Sequence, residues 1–182
     1  MSRLAIPATI EASPTLSQPL LEGAKRQLGV IPNLFRLLGT SPAALDGYLA
    51  LGGALAKGSL DARTRERLAI VIAEQNGCGY CLAAHTYLGK NAAKLDDAEL
   101  EAARDARSSD PKVAAALRFA KAVVRERGHV PASALAEVQD AGWSDAQIVE
   151  IVMHVALNVL TNYVNSVAET EVDFPHLAPR AA

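Results

Sequence analysis

Two cysteines and a histidine stand out by type and spacing: Cys78-Gly-Tyr-Cys81, then His85 four residues further on. On a helix, positions i, i+3 and i+7 share one stripe, so both sulfurs and the imidazole face the same way. Cys81 and His85 form an i, i+4 pair, within reach of a direct or water-bridged hydrogen bond. Asn76-Gly77 has the chemistry of a left-handed helix stop, which puts both thiols in the first turn of a fresh helix. Unsatisfied N–H groups and the positive end of the helix dipole favour thiolate over thiol there.

The same spacing lets the two sulfurs close a disulfide. A cycle follows: one thiolate attacks an oxidant and becomes a sulfenic acid, the second thiol condenses with it, and an external thiol resets the pair. Cys81, with His85 one turn beyond, suits the first attack. Cys78, at the helix mouth, suits resolution and proton donation. Two other readings use the same residues. Cys78, Cys81 and His85 would serve as part of a zinc site, but structural zinc takes four protein ligands. Only His129, His154 and His176 remain, with no second cysteine pair, so no metal or other cofactor is expected. The blander reading is two buried cysteines without chemistry.

Glu66 lies twelve residues before Cys78 and shares an i, i+4, i+7 stripe with Ile70 and Ala73. Turned inward, it would orient the histidine or relay a proton. Turned outward, it would pair with Arg63, Arg65 or Arg67 in solvent, and spacing does not choose between the two. Glu74, near the helix end, reads as a surface residue. His154 reads as a satisfied core histidine, with pocket lining as the alternative, and Trp143 as a packing anchor. His129 and His176 read as loop residues.

The elements that must hold these residues are helical almost throughout. Half of the 182 residues are hydrophobic, 21% are charged and 4% aromatic, a globular composition rich in helix formers. Residues 1–14, with Pro7 and Pro14, read as an extended arm, and 15–182 as a single helical domain. Helices are expected up to Leu28, from Pro32 to Leu38, and from Ser41-Pro42 to about Lys57. The next run from Asp61 to Gln75, from Cys78 to about Lys94, and from an Asp96-to-Glu99 capping box. The last run from Asp110-Pro111 to Arg127, from Pro131 to Asp140, and from a Ser144-to-Gln147 capping box through Tyr163. No stretch alternates with period two. The fold class is all-α, a compact multi-helix bundle.

The formal net charge is -2 and no basic stripe appears, so no nucleic-acid or anionic-lipid partner is expected. No run approaches the apolar length needed to span a bilayer. The start, Met1 to Pro7, makes a poor signal peptide, which leaves the cytoplasm as the expected compartment. In that reducing setting a close cysteine pair is expected to be reactive or metal-binding rather than a structural staple.

The stretch from Glu66 through Cys78-Gly-Tyr-Cys81 to His85 resembles the core motif of the carboxymuconolactone decarboxylase-like superfamily, and within it the alkyl hydroperoxidase D branch with its Cys-x-x-Cys-x-x-x-His. Asn162-Tyr163 and Asp173-Phe174-Pro175 are similar to peroxidase-related members. The resemblance covers about residues 15–175. It implies a helical antioxidant fold assembled as a homo-oligomer, trimer or hexamer. It places the proton-relay glutamate on Glu66, the sulfenic-acid-forming cysteine on Cys81, its partner on Cys78 and the histidine on His85. The sequence departs from the best-known hydroperoxidases at Tyr80, where they carry a second histidine. The expected function is a thiol peroxidase that reduces hydrogen peroxide or alkyl hydroperoxides and draws electrons from an external thiol or dithiol protein. The alternatives are a decarboxylase-like enzyme using His85 and Glu66 in acid–base work, and a non-catalytic redox-sensing oligomer.

Overall fold

The computed structural model describes residues 2–180, and among them every regular element is a helix. The order is α1 (Gln18–Leu28), α2 (Asn33–Leu38), α3 (Pro42–Leu55), α4 (Ala62–Gln75), α5 (Gly79–Asn91), α6 (Asp97–Arg104), α7 (Pro111–Arg125), α8 (Ala132–Asp140) and α9 (Asp145–Ala168). The all-α expectation holds.

Helix α4 is the centre. Its residues from Arg67 to Ala73 are buried without a break, the pattern of a helix enclosed on all sides. It packs against α5, α6, α7 and α9. The charge within that run is met by Glu99 on α6, which approaches Arg67 Nε at 2.8 Å and also accepts the Ser109 N–H at 2.6 Å and the Ser108 hydroxyl at 2.8 Å. A buried carboxylate needs that full set of donors. Asp96 caps α6 through the Glu99 N–H, but the Glu99 side chain turns to Arg67 and does not reach back to complete the box. Ser144 and Gln147 do complete theirs on α9.

Two glycines set the approach of the motif. Gly77 takes φ +66°, the left-handed turn that ends α4 and lets α5 double back beside it. On α5, a Cβ at Gly89 would stand 2.7 Å from Leu100 Cδ2, so glycine lets α6 sit this close without displacing that methyl. α5 ends at Asn91, short of the expected Lys94, which instead sits at φ 58° in the turn to α6.

α9 runs past Tyr163 to Ala168 and carries two contrasting faces. The inner face buries Ile148, Ile151 and Val155 together with His154, Asn158, Asn162 and Asn165. The outer face exposes Val149, Val152, Met153, Leu160, Tyr163 and Val167, a continuous apolar stripe. With both faces counted, α9 is long and apolar enough by composition to cross a membrane, which corrects the expectation that no run approaches that length. Trp143, just before it, is buried and donates Nε1–H to the Lys112 carbonyl at 2.8 Å, the anchor role expected.

The segment after α9 returns across the molecule. Asp173 accepts the Asn33 N–H at 2.7 Å, Phe174 packs edge-on against Tyr80, and Pro179 lies 3.5 Å from where a Cβ on Gly79 would be. The Arg180 N–H reaches Glu74 Oε1 at 2.5 Å, and its guanidinium pairs with Glu101 and Asp105. At the other terminus, Arg3 pairs with Glu169 and donates its N–H to the Ala168 carbonyl.

Candidate active site

Cys78 is the N-cap of α5, one residue outside the first turn expected for it, and its sulfur accepts the Cys81 N–H at 3.3 Å. The side chain thus takes the place that Ser or Asp takes at other helix starts. Cys81 sits three residues in, at the positive end of the dipole. The two sulfurs stand 2.7 Å apart as free thiols, with Cys78 donating to Cys81. That hydrogen bond separates the pair chemically. Acceptance from Cys78, the nearby His85 charge and the amides of Asn165 and Asn162 outweigh burial and pull the Cys81 thiol down. The donated bond and burial push Cys78 up. Cys81 is the more readily ionised of the pair, and Cys78 the one that holds its proton more tightly.

Glu66 turns inward. Its Oε2 lies 2.8 Å from His85 Nδ1. Burial lowers the imidazole pKa, but the Glu66 carboxylate and the Cys81 charge more than offset it, so the imidazolium is favoured. Its arginine neighbours are engaged elsewhere: Arg67 with Glu99, and Arg65 with the Leu60 carbonyl at 2.6 Å. The four residues singled out by the motif therefore lie together between α4 and α5.

Beside Glu66 and His85 opens a cavity of about 150 Å³ whose wall also includes Tyr48, Arg65, His154 and Asn158. His154 is buried, yet its Nε2 has no partner among the described residues, so it is a pocket residue and not a satisfied core histidine. Burial, then the Arg65 charge, holds it below its usual pKa. The Tyr48 phenol is pushed up to about 12 by burial and by the Cys81 and Glu66 charges.

Other sequence readings are corrected or extended. Glu74 is no surface residue: it pairs with Arg104 at 2.7 Å with both side chains largely covered, and it anchors Arg180. His129 and His176 lie in loops as expected. Sequence reading missed the contact of Asn165, whose Nδ2 donates to Cys81 Sγ at 3.2 Å, and the bond between Asn76 Nδ2 and Asn162 Oδ1 at 2.9 Å. The signal that finds them is a run of polar residues at helical spacing (His154, Asn158, Asn162, Asn165) inside an apolar helix.

Residues 42–126, a little under half of the chain and the stretch that carries the motif, match the model of the carboxymuconolactone decarboxylase family. No curated protein matches. Among solved structures, the chain is similar to a peroxidase-related protein from Ralstonia eutropha JMP134, described as an alkylhydroperoxidase AhpD core. The identity is 21% and the TM-score 0.84, with 94% of this chain and 92% of that one covered. A peroxidase-related protein from Silicibacter sp. TM1040 follows at 22% identity, TM-score 0.81, and 93% and 91% coverage. The debrominase Bmp8 matches at 21% identity, TM-score 0.79, and 93% and 92% coverage. The fold is the alkylhydroperoxidase D-like helical fold.

Proposed function

We propose that the chain is a thiol-dependent peroxidase that reduces hydrogen peroxide or an alkyl hydroperoxide through Cys81. The observation that carries the reading is the asymmetric sulfur pair: the two sulfurs stand 2.7 Å apart, Cys78 and the His85 charge pull the Cys81 thiol down, and His85 is itself bonded to Glu66 at 2.8 Å. The thiolate attacks the peroxide, sulfur gains oxygen, and the proton for the departing oxygen comes from His85. Cys78 then condenses with the sulfenic acid to give a disulfide and water. An external thiol or dithiol protein of the reducing cytoplasm restores both thiols. A second copy of the chain covers the apolar outer face of α9. Mass spectrometry after one equivalent of peroxide, with a dimedone trap, tests the scheme. It expects a trapped sulfenic acid on Cys81 in the Cys78→Ser variant and a disulfide in the parent. Full peroxide turnover by Cys81→Ser would sink it.

One observation favours a second reading. The cavity is walled by Glu66, His85, Tyr48 and His154, while neither cysteine lines it. A decarboxylase-like enzyme using Glu66 and His85 for acid–base work would have that layout. It expects activity on a lactone acid that survives replacement of both cysteines.

A further inference from the structure

Asn162 is fully buried on α9. Its Oδ1 takes the Asn76 amide, which fixes the plane of the side chain, and its Nδ2 is left without an acceptor among the described residues. Asn165, three residues on, presents its own Nδ2 to Cys81 Sγ at 3.2 Å. Both amides also act on the Cys81 sulfur, favouring its anionic form. A buried N–H without an acceptor is costly, and a fold keeps one where something else completes it. The anchored Asn162 amide thus lies beside the Cys81 sulfur with no protein oxygen among the described residues to receive it.

We propose that Asn162 and Asn165 form a two-amide cradle on Cys81, in which Asn165 holds the thiolate and Asn162 Nδ2 receives the oxygen that the sulfur takes from the peroxide. The inference rests on the peroxidase reading. In the first step the thiolate attacks the terminal peroxide oxygen. The S–O bond forms as the O–O bond breaks, sulfur is oxidised by two electrons, and the departing alkoxide or hydroxide takes a proton from His85. The transferred oxygen, now on Cys81 with its own proton, accepts from Asn162. In the second step the Cys78 sulfur attacks Cys81, the S–S bond forms, and the oxygen leaves as water with the Cys78 proton. A donor fixed where charge and oxygen arrive needs no rearrangement during the reaction. Asn76, at the end of α4, acts through Asn162 as a positioning residue.

The test uses the full chain in a Cys78→Ser background. The Cys81 thiolate is titrated by its absorbance near 240 nm, and sulfenic acid formation is followed with hydrogen peroxide and dimedone. Asn165→Ala is expected to move the titration up by about one pH unit. Asn162→Ala should move it less, yet slow sulfenic acid formation by about tenfold or more. Asn162→Asp keeps the acceptor for Asn76, so it folds where Asn162→Ala fails; it should both slow oxidation and raise the titration. An unmoved titration in Asn165→Ala, or oxidation at the parent rate in the Asn162 variants, overturns the cradle. If no sulfenic acid forms even in the parent, the peroxidase reading and the oxygen role of Asn162 fall together. The titration of Asn165→Ala still reports on the thiolate contact alone.

Discussion

The Tyr80 hydroxyl accepts the backbone N–H of Leu34 at 3.1 Å. Leu34 lies in the first turn of α2, which starts after Pro32 without a capping side chain, so its first N–H groups need partners from elsewhere. Asp173 takes the Asn33 N–H and Tyr80 takes the next. The Tyr80 ring packs edge-on against Phe174 at 5.8 Å. Burial and the Asp173 carboxylate push its phenol up, so it stays protonated. The residue that departs from the best-known hydroperoxidases is thus a brace between α5, α2 and the terminal segment. Tyr80→Phe keeps the ring and leaves the Leu34 N–H without an acceptor. It should cost about 1–3 kcal/mol, or about 2–4 °C of melting temperature per kcal/mol, with peroxide turnover kept. Lost turnover at an unchanged melting temperature would assign Tyr80 to the chemistry instead.

Cys81 is pulled down to about 7, while Cys78 is pushed well above its ordinary value. The rate of sulfenic acid formation should therefore rise about tenfold per pH unit below 7 and level off above it. A single thiol should titrate in that window. Stopped-flow rates from pH 5 to 9 check this, and a flat profile contradicts it.

Glu66→Gln keeps the shape at His85 but removes the negative charge that favours the imidazolium. The histidine pKa should fall and the Cys81 titration should rise, because the nearby positive charge is lost at neutral pH. We expect peroxide reduction to drop about tenfold or more. An NMR titration of His85, read beside the rate, separates this from a loss of fold.

Burial raises the Glu99 pKa, but the Ser109 and Ser108 donors and Arg67 more than offset it and hold it at about 2 in the folded chain. In the unfolded chain a glutamate titrates near 4.3. A folded value below the unfolded one means stability present above that pH and lost as pH falls from about 4 toward 2, amounting to about 3 kcal/mol. Glu99→Gln should remove this acid sensitivity and destabilise the neutral protein, because Arg67 stays buried without its counter-charge. Denaturant midpoints at pH 3 and 7 measure both effects.

The outer face of α9 predicts an assembly. Val149→Glu with Leu160→Lys places charges in the exposed apolar stripe and should lower the mass seen by analytical ultracentrifugation. Unchanged mass would move the contact elsewhere.

Local features were legible in the sequence. Ser41, Asp61, Asp96, Asp110 and Ser144 each cap the helix expected of them, because a cap is read within four residues. The motif on α5 was legible too, but spacing left the direction of Glu66 open, and only the resemblance placed it at the site. Contacts set by chain return were not. Asn165 meets Cys81 across 84 positions, and Asp173 meets Asn33 across 140. No helical period encodes such pairs. His154 was misread because burial and satisfaction usually go together, and here a cavity separates them.

The terminal segment packs over the end of α5 that carries the two cysteines. Cys78 and Cys81 are 3% and 2% exposed, so anything that reaches them must be small or must move the protein aside. The small cavity beside His85 is lined by neither sulfur. Over Gly79 lie Pro179 and Leu177, and the same segment is tied down by Arg180 on Glu74, Glu101 and Asp105. If the chain works as the proposed peroxidase, a protein donor that enters over Gly79 has to displace this tail, and the three carboxylates that hold Arg180 set how readily it lifts.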